Sequence, residues 1–105
     1  MKPYYHTFEW KDRVITLCLV SKKLSGYIQA GYSVKLPEDP QDQQLAKKIA
    51  LGRALKKNEV LNNGFFGIHT FMDYRLAKDR GILNALSRNI QRQIESGKIV
   101  IKGIR

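Results

Sequence analysis

Histidine, cysteine and acidic side chains are scarce in this sequence, and their scarcity removes most enzyme chemistry from consideration. There are two histidines, His6 and His69, one cysteine, Cys18, and nine acids against 19 bases. The histidines lie far apart in the chain, and no close His/Cys/Asp/Glu cluster offers a structural zinc site. Asp73 and Asp79 are six residues apart, on different faces of a helix, which argues against a magnesium ion shared between them. His69 and Asp73, four apart, are the one acid–base pairing, and a helix-start histidine bonded to a capping acid accounts for it equally well. Gly64 and Gly67 fit neither a phosphate loop nor a dinucleotide fingerprint. The expectation is a non-enzymatic chain with no catalytic residues, no metal and no cofactor.

Long hydrophobic runs are missing too. No apolar stretch approaches the length needed to span a bilayer. Met1-Lys2-Pro3-Tyr4-Tyr5-His6 lacks the apolar centre of a secretory signal. A single cysteine cannot form an internal disulfide, and Cys18 falls in the apolar stretch Val14–Val20, where a buried thiol is expected. These features predict a cytoplasmic protein in a reducing compartment.

What is present is enough apolar material, 43% of 105 residues, for one domain with one modest core. His6–Trp10 alternates aromatic and polar residues, Lys11-Asp12 supplies a tight turn, and Arg13–Ser21 is apolar on both faces. Tyr27–Leu36 has the cleanest two-residue period, with Ile28, Ala30, Tyr32, Val34 and Leu36 on one face. These segments predict a three-stranded antiparallel meander. Asp39 and Pro40 predict the N-cap and first residue of a helix running through Leu45, Ile49 and Leu55 to about Lys57. Ala46, Ala50 and Ala54 form a second, smoother stripe on that helix. Asn62-Asn63-Gly64 reads as a turn and Phe65–Ile68 as a short strand or buried loop. A second helical region starts near Thr70, is interrupted at Gly81, and carries the stripe Ile82, Leu83, Leu86, Ile90 and Ile94. Ser96-Gly97 ends it, and Lys98–Lys102 reads as a final strand. The order predicts an α+β fold, both helical regions packed on one face and a C-terminal strand joining the sheet.

The charge is distributed unevenly. Residues 1–44 carry a net +1, whereas residues 45–105 carry +9 of the total +10. Lys47, Lys48, Arg53, Lys56 and Lys57 fall on the first helix and its end. Arg75, Lys78, Arg80, Arg88 and Arg92 fall along the second helical region, followed by Lys98, Lys102 and Arg105. Arg88 and Arg92 are four apart and opposite the Leu86/Ile90 stripe, so both should face solvent. Some of this charge has a local use, since Lys56 and Lys57 suit a helix C-terminus. A solvated lysine-rich surface is the plain alternative. Asn84, Asn89, Gln91 and Gln93 lie near the two arginines, where such amides could read bases. Of the strand aromatics, Phe8, Trp10 and Tyr32 are expected in the core; with one sheet face open, Tyr5 or Tyr27 could stack on unpaired bases, and Tyr27 is the stacking candidate. No RNP-type aromatic motif is present.

The segment Ala46–Leu55, preceded by Gly31-Tyr32-Ser33-Val34, resembles segments of small uncharacterised phage-encoded proteins. The resemblance covers about a fifth of the chain and implies a viral or mobile-element accessory protein. Gly52 inside this helix is unfavourable by about 1 kcal/mol relative to alanine, which suggests close approach of a strand or partner backbone there.

The expectation for function is nucleic-acid binding, DNA foremost, through the phosphate backbone. Lys47, Lys48, Arg53, Lys56, Lys57, Arg88 and Arg92 would form the site. The same charge would also suit an acidic surface on a host protein that this chain modulates. A homodimer formed by edge pairing of Ile99–Ile101 is a third possibility.

Overall fold

The computed structural model describes residues 2–22, 27–55 and 74–99. Strands β1 (Tyr4–Trp10), β2 (Arg13–Lys22) and β3 (Tyr27–Lys35) form one antiparallel sheet in the order β1-β2-β3. Helix α1 (Gln43–Leu55) follows, then a 3₁₀ turn (Tyr74–Lys78) and helix α2 (Arg80–Glu95). The expected α+β meander with two helices is present.

The β1–β2 hairpin turns on Lys11 and Asp12, both left-handed with φ of 50° and 62°. That geometry matches the twist of the flanking strands. The Arg13 guanidinium donates to the Lys11 carbonyl at 2.9 Å across the turn.

Strand alternation sends two different sets of side chains to the two faces. Phe8, Ile15, Leu17, Leu19, Ile28, Ala30 and Tyr32 meet Leu83, Leu86, Ile90 and Ile94 of α2. Burial of each large apolar side chain contributes about 1.5–3 kcal/mol, so this face dominates the stability. Cys18 and Val20 point the other way and meet Ala50 and Ala54 of α1, with Tyr5 and Leu51 at the margin. The helices therefore cover opposite faces of the sheet, a correction to the expectation that both pack on one. The cause lies in β2, whose two apolar faces each need a cover.

Helix α1 uses the face that its large residues do not predict. Leu45, Ile49 and Leu55 are 51%, 37% and 43% exposed, while Ala50 and Ala54 are fully buried. The sheet face beneath α1 explains this choice. A methyl group added to Gly31 would lie 2.7 Å from the Ala50 carbonyl oxygen and 2.8 Å from the Ala54 Cα. Helix and strand backbones are in contact here, so only alanine fits between them. Ser33 also donates its hydroxyl to the Ala46 carbonyl at 2.8 Å. At Gly52, by contrast, an added methyl group would have no neighbour within 4 Å. No described strand approaches it.

The caps shift as well. Helix α1 starts at Gln43, and Asp42, not Asp39, accepts from the Leu45 N–H at 3.0 Å. Asp39 closes the preceding turn instead, accepting from the Leu36 N–H at 2.9 Å. In α2 the cap is Asp79, which accepts from Gly81 and Ile82 N–H groups. The expected break is present but falls at Asp79, between the 3₁₀ turn and α2, which puts Gly81 in the first turn of α2. Ser96 and Gly97 end α2 as expected, Gly97 with φ of 84°. Lys98 and Ile99 form a bend, with no fourth strand among the described residues. Val100–Lys102, the Asn62–Ile68 turn and loop, and the expected helix start at Thr70 and Asp73 lie outside the described residues.

Candidate nucleic-acid interface

Strand β1 is an edge of the sheet among the described residues, and both helices send polar and cationic side chains to it. Tyr4, His6, Phe8 and Trp10 face α2; Tyr5, Thr7 and Glu9 face α1. On the α2 side, the Tyr4 hydroxyl donates to Asn84 Oδ1 at 3.0 Å. His6 Nε2 donates to Gln91 Oε1 at 2.7 Å, and Gln91 passes its own amide proton to Glu95 at 3.1 Å. The His6 ring stacks on Phe8 with centroids 5.7 Å apart. Between strand and helix runs a groove of about 390 Å³ lined by His6, Thr7, Phe8, Arg88, Gln91 and Arg92.

Arg88 and Arg92 are both exposed, one helical turn apart, as their spacing predicts. Arg92 also lines a second hollow of about 480 Å³ with Asn89, Gln93, Ser96 and Lys98. A run of cations thus extends from Arg88 through Arg92 to Lys98. Among the described residues, no ion pair or hydrogen bond engages the Arg88 or Arg92 guanidinium.

On the α1 side, Gln43 donates to the hydroxyls of Thr7 at 3.0 Å and Thr16 at 3.4 Å. Four residues on, the Lys47 ammonium lies 5.3 Å from the centroid of the Tyr5 ring. Lys47 reaches β1 because the Ala46/Ala50/Ala54 stripe lets α1 lie so close to the sheet. The third cation source is the hairpin turn, where the Lys11 ammonium sits 4.7 Å from the Trp10 centroid. The fourth is Arg80, 4.9 Å from the Tyr4 ring and within 3.4 Å of the Lys2 and Pro3 carbonyls.

Of the predicted site residues, then, Lys47, Arg88 and Arg92 come together around β1. Lys48 is exposed on α1 and lines neither groove beside that strand. Arg53 points to the opposite edge, donating to the Tyr32 carbonyl of β3 at 3.0 Å. Lys56 and Lys57 lie outside the described residues. So does the Tyr27 side chain, although its backbone opens β3 opposite Lys22. The amides expected near the arginines are already engaged: Asn84 by Tyr4, Gln91 by His6, and Asn89 by Gln93.

Lys11 and Arg80 join the cluster without having been singled out from the sequence. The available signal was the density of aromatics in β1, since exposed rings attract cations. Among the described residues there is no group of three or more His, Cys, Asp and Glu placed to hold a metal ion. No described helix is long and apolar enough to cross a membrane. Asp79, weighed above as an acid, serves as the α2 cap. Comparison with protein-family models, curated proteins and solved structures gave no match.

Proposed function

We propose that this chain is a small binding protein that holds nucleic acid by its phosphate backbone along the β1 edge. The observation that carries the reading is the approach of Lys47 from one face of the sheet, and of Arg88 and Arg92 from the other, to one strand. Charges that lay on opposite layers of the fold are thereby placed within reach of one polyanion. The engaged amides favour backbone contacts over base reading, because each already has its carbonyl oxygen or its N–H group committed within the protein. The phage-accessory resemblance fits such a role and adds no residue to it.

The test is a salt titration of binding to a random-sequence duplex and to a single strand. Each phosphate neutralised by Lys or Arg releases condensed counterion, so affinity should fall linearly with salt on logarithmic axes. Replacing Arg88 and Arg92 together with alanine should reduce that slope by about 2 for duplex, somewhat less for single strands. Lys48→Ala should leave it nearly unchanged. Absence of binding at low salt, or an affinity indifferent to salt, would refute the proposal.

A further inference from the structure

We infer that the nucleic acid held at this edge is single-stranded, its bases stacking on β1 aromatics while the flanking cations take its phosphates. The inference rests on the backbone-binding reading above and specifies its ligand. β1 contains four aromatic residues besides His6: Tyr4, Tyr5, Phe8 and Trp10. Three of these rings are each covered by a cation, and the cations come from three different places: α2, α1 and the hairpin turn. Phe8, the ring no cation covers, is buried in the core, whereas the other three are only partly buried.

A cation over a ring hides a stacking face and keeps a positive charge beside it. A phosphate that draws the cation away uncovers that face for the base attached to it. Base stacking on an aromatic side chain is stronger than an exposed cation–ring contact, so the exchange is favourable. Arg80 is further tied to the Lys2 and Pro3 carbonyls, which leaves Lys47 over Tyr5 and Lys11 over Trp10 as the movable pair. Arg88 and Arg92 lie beside the same strand on the α2 side, which Trp10 shares, in the groove with His6, Thr7 and Phe8; Tyr5 and Lys47 stand on the α1 side. The seven residues of β1 extend roughly 23 Å at about 3.3 Å per residue, the scale of a site of about 4 nucleotides. A duplex keeps its bases stacked and offers only groove edges, so it can use the cations but not the rings.

Trp10 is the single tryptophan of the chain, so its fluorescence reports on this site in the unaltered protein. The probes are a deoxythymidine oligonucleotide of about 16 nucleotides, a random duplex of equal length, and a poly-glutamate peptide. The oligonucleotide should quench Trp10 and bind at least about fivefold more tightly than the duplex. Tyr5→Leu should weaken oligonucleotide binding by roughly fivefold or more and leave duplex binding unchanged, while Tyr5→Phe retains it. Should Tyr5→Leu fail to fold in a thermal melt, quenching and the strand-to-duplex ratio still decide. Equal binding of both nucleic acids with unchanged fluorescence would overturn the single-strand assignment and leave backbone binding intact. No binding to either, or equal binding of poly-glutamate, would overturn both.

Discussion

Cys18 sits beneath α1 with its thiol out of contact with water. Burial pushes its pKa up from 9.0 to about 12, against a smaller lowering from a hydrogen bond with the Tyr5 hydroxyl. Tyr5 is itself shifted upward, first by desolvation and then by the neighbouring Cys18 charge. The sign follows from which state holds the proton. In alkali the unfolded thiol ionises while the folded one stays neutral, so the contribution is complete below about pH 9 and is lost as pH rises toward 12. The melting temperature should therefore fall across this range, and Cys18→Ala should flatten the decline. A thiol-directed disulfide reagent should label Cys18 only as fast as the protein opens. The burial of this residue was legible from its apolar surroundings; its pairing with Tyr5 was not, because it depends on strand register.

At the scale of elements, two glycines make opposite predictions. Gly31→Ala would drive a methyl group into the α1 backbone, where no side chain can move aside. Overpacking of this kind costs about 1–3 kcal/mol or more, and chemical denaturation should show the loss. Gly52→Ala meets open space in a helix interior and should stabilise by about 1 kcal/mol. Asp12→Gly should also stabilise, by roughly 0.5–1 kcal/mol, because residue 12 is held at positive φ. The strands were legible because a period of two, sustained over all nine residues of β3, has no competing reading. The orientation of α1 was not. Leucine and isoleucine ordinarily mark the inward face, and only Gly31, on strand β3, reveals that this sheet face admits alanine alone. The α1 cap moved from Asp39 to Asp42 for a similar reason, since either carboxylate could cap and the turn at Leu36 claimed the first.

For the whole molecule, the basic half of the sequence is not one layer of the fold. Its two helices lie on opposite faces, and the part of the charge that converges does so at β1, which belongs to the nearly neutral half. Sequence supplied the charge, while convergence depended on two helix placements that a linear pattern does not encode. A net charge of +10 repels itself within the compact state. Raising ionic strength from about 0.01 M to about 0.15 M shortens the screening length from about 30 Å to about 8 Å. The melting temperature of nucleic-acid-free protein should rise over that interval, as calorimetry would record. Captured from a cell lysate at low salt, the protein should carry nucleic acid, and nuclease should release most co-purifying material. A stoichiometric protein retained after nuclease would favour an acidic protein partner.

The bond between His6 and Gln91 joins residues separated by 85 positions, and that between Tyr4 and Asn84 by 80. Synthesis runs from the N-terminus, at about 5–20 residues per second, so the meander and α1 emerge from the ribosome before α2 does. Arg80, Arg88 and Arg92 arrive with α2, so β1 has only Lys11 and Lys47 of its five flanking cations until then. If the β1 edge binds as proposed, the unfinished chain meets the surrounding ribosomal and messenger RNA with an incomplete set of cations until α2 joins.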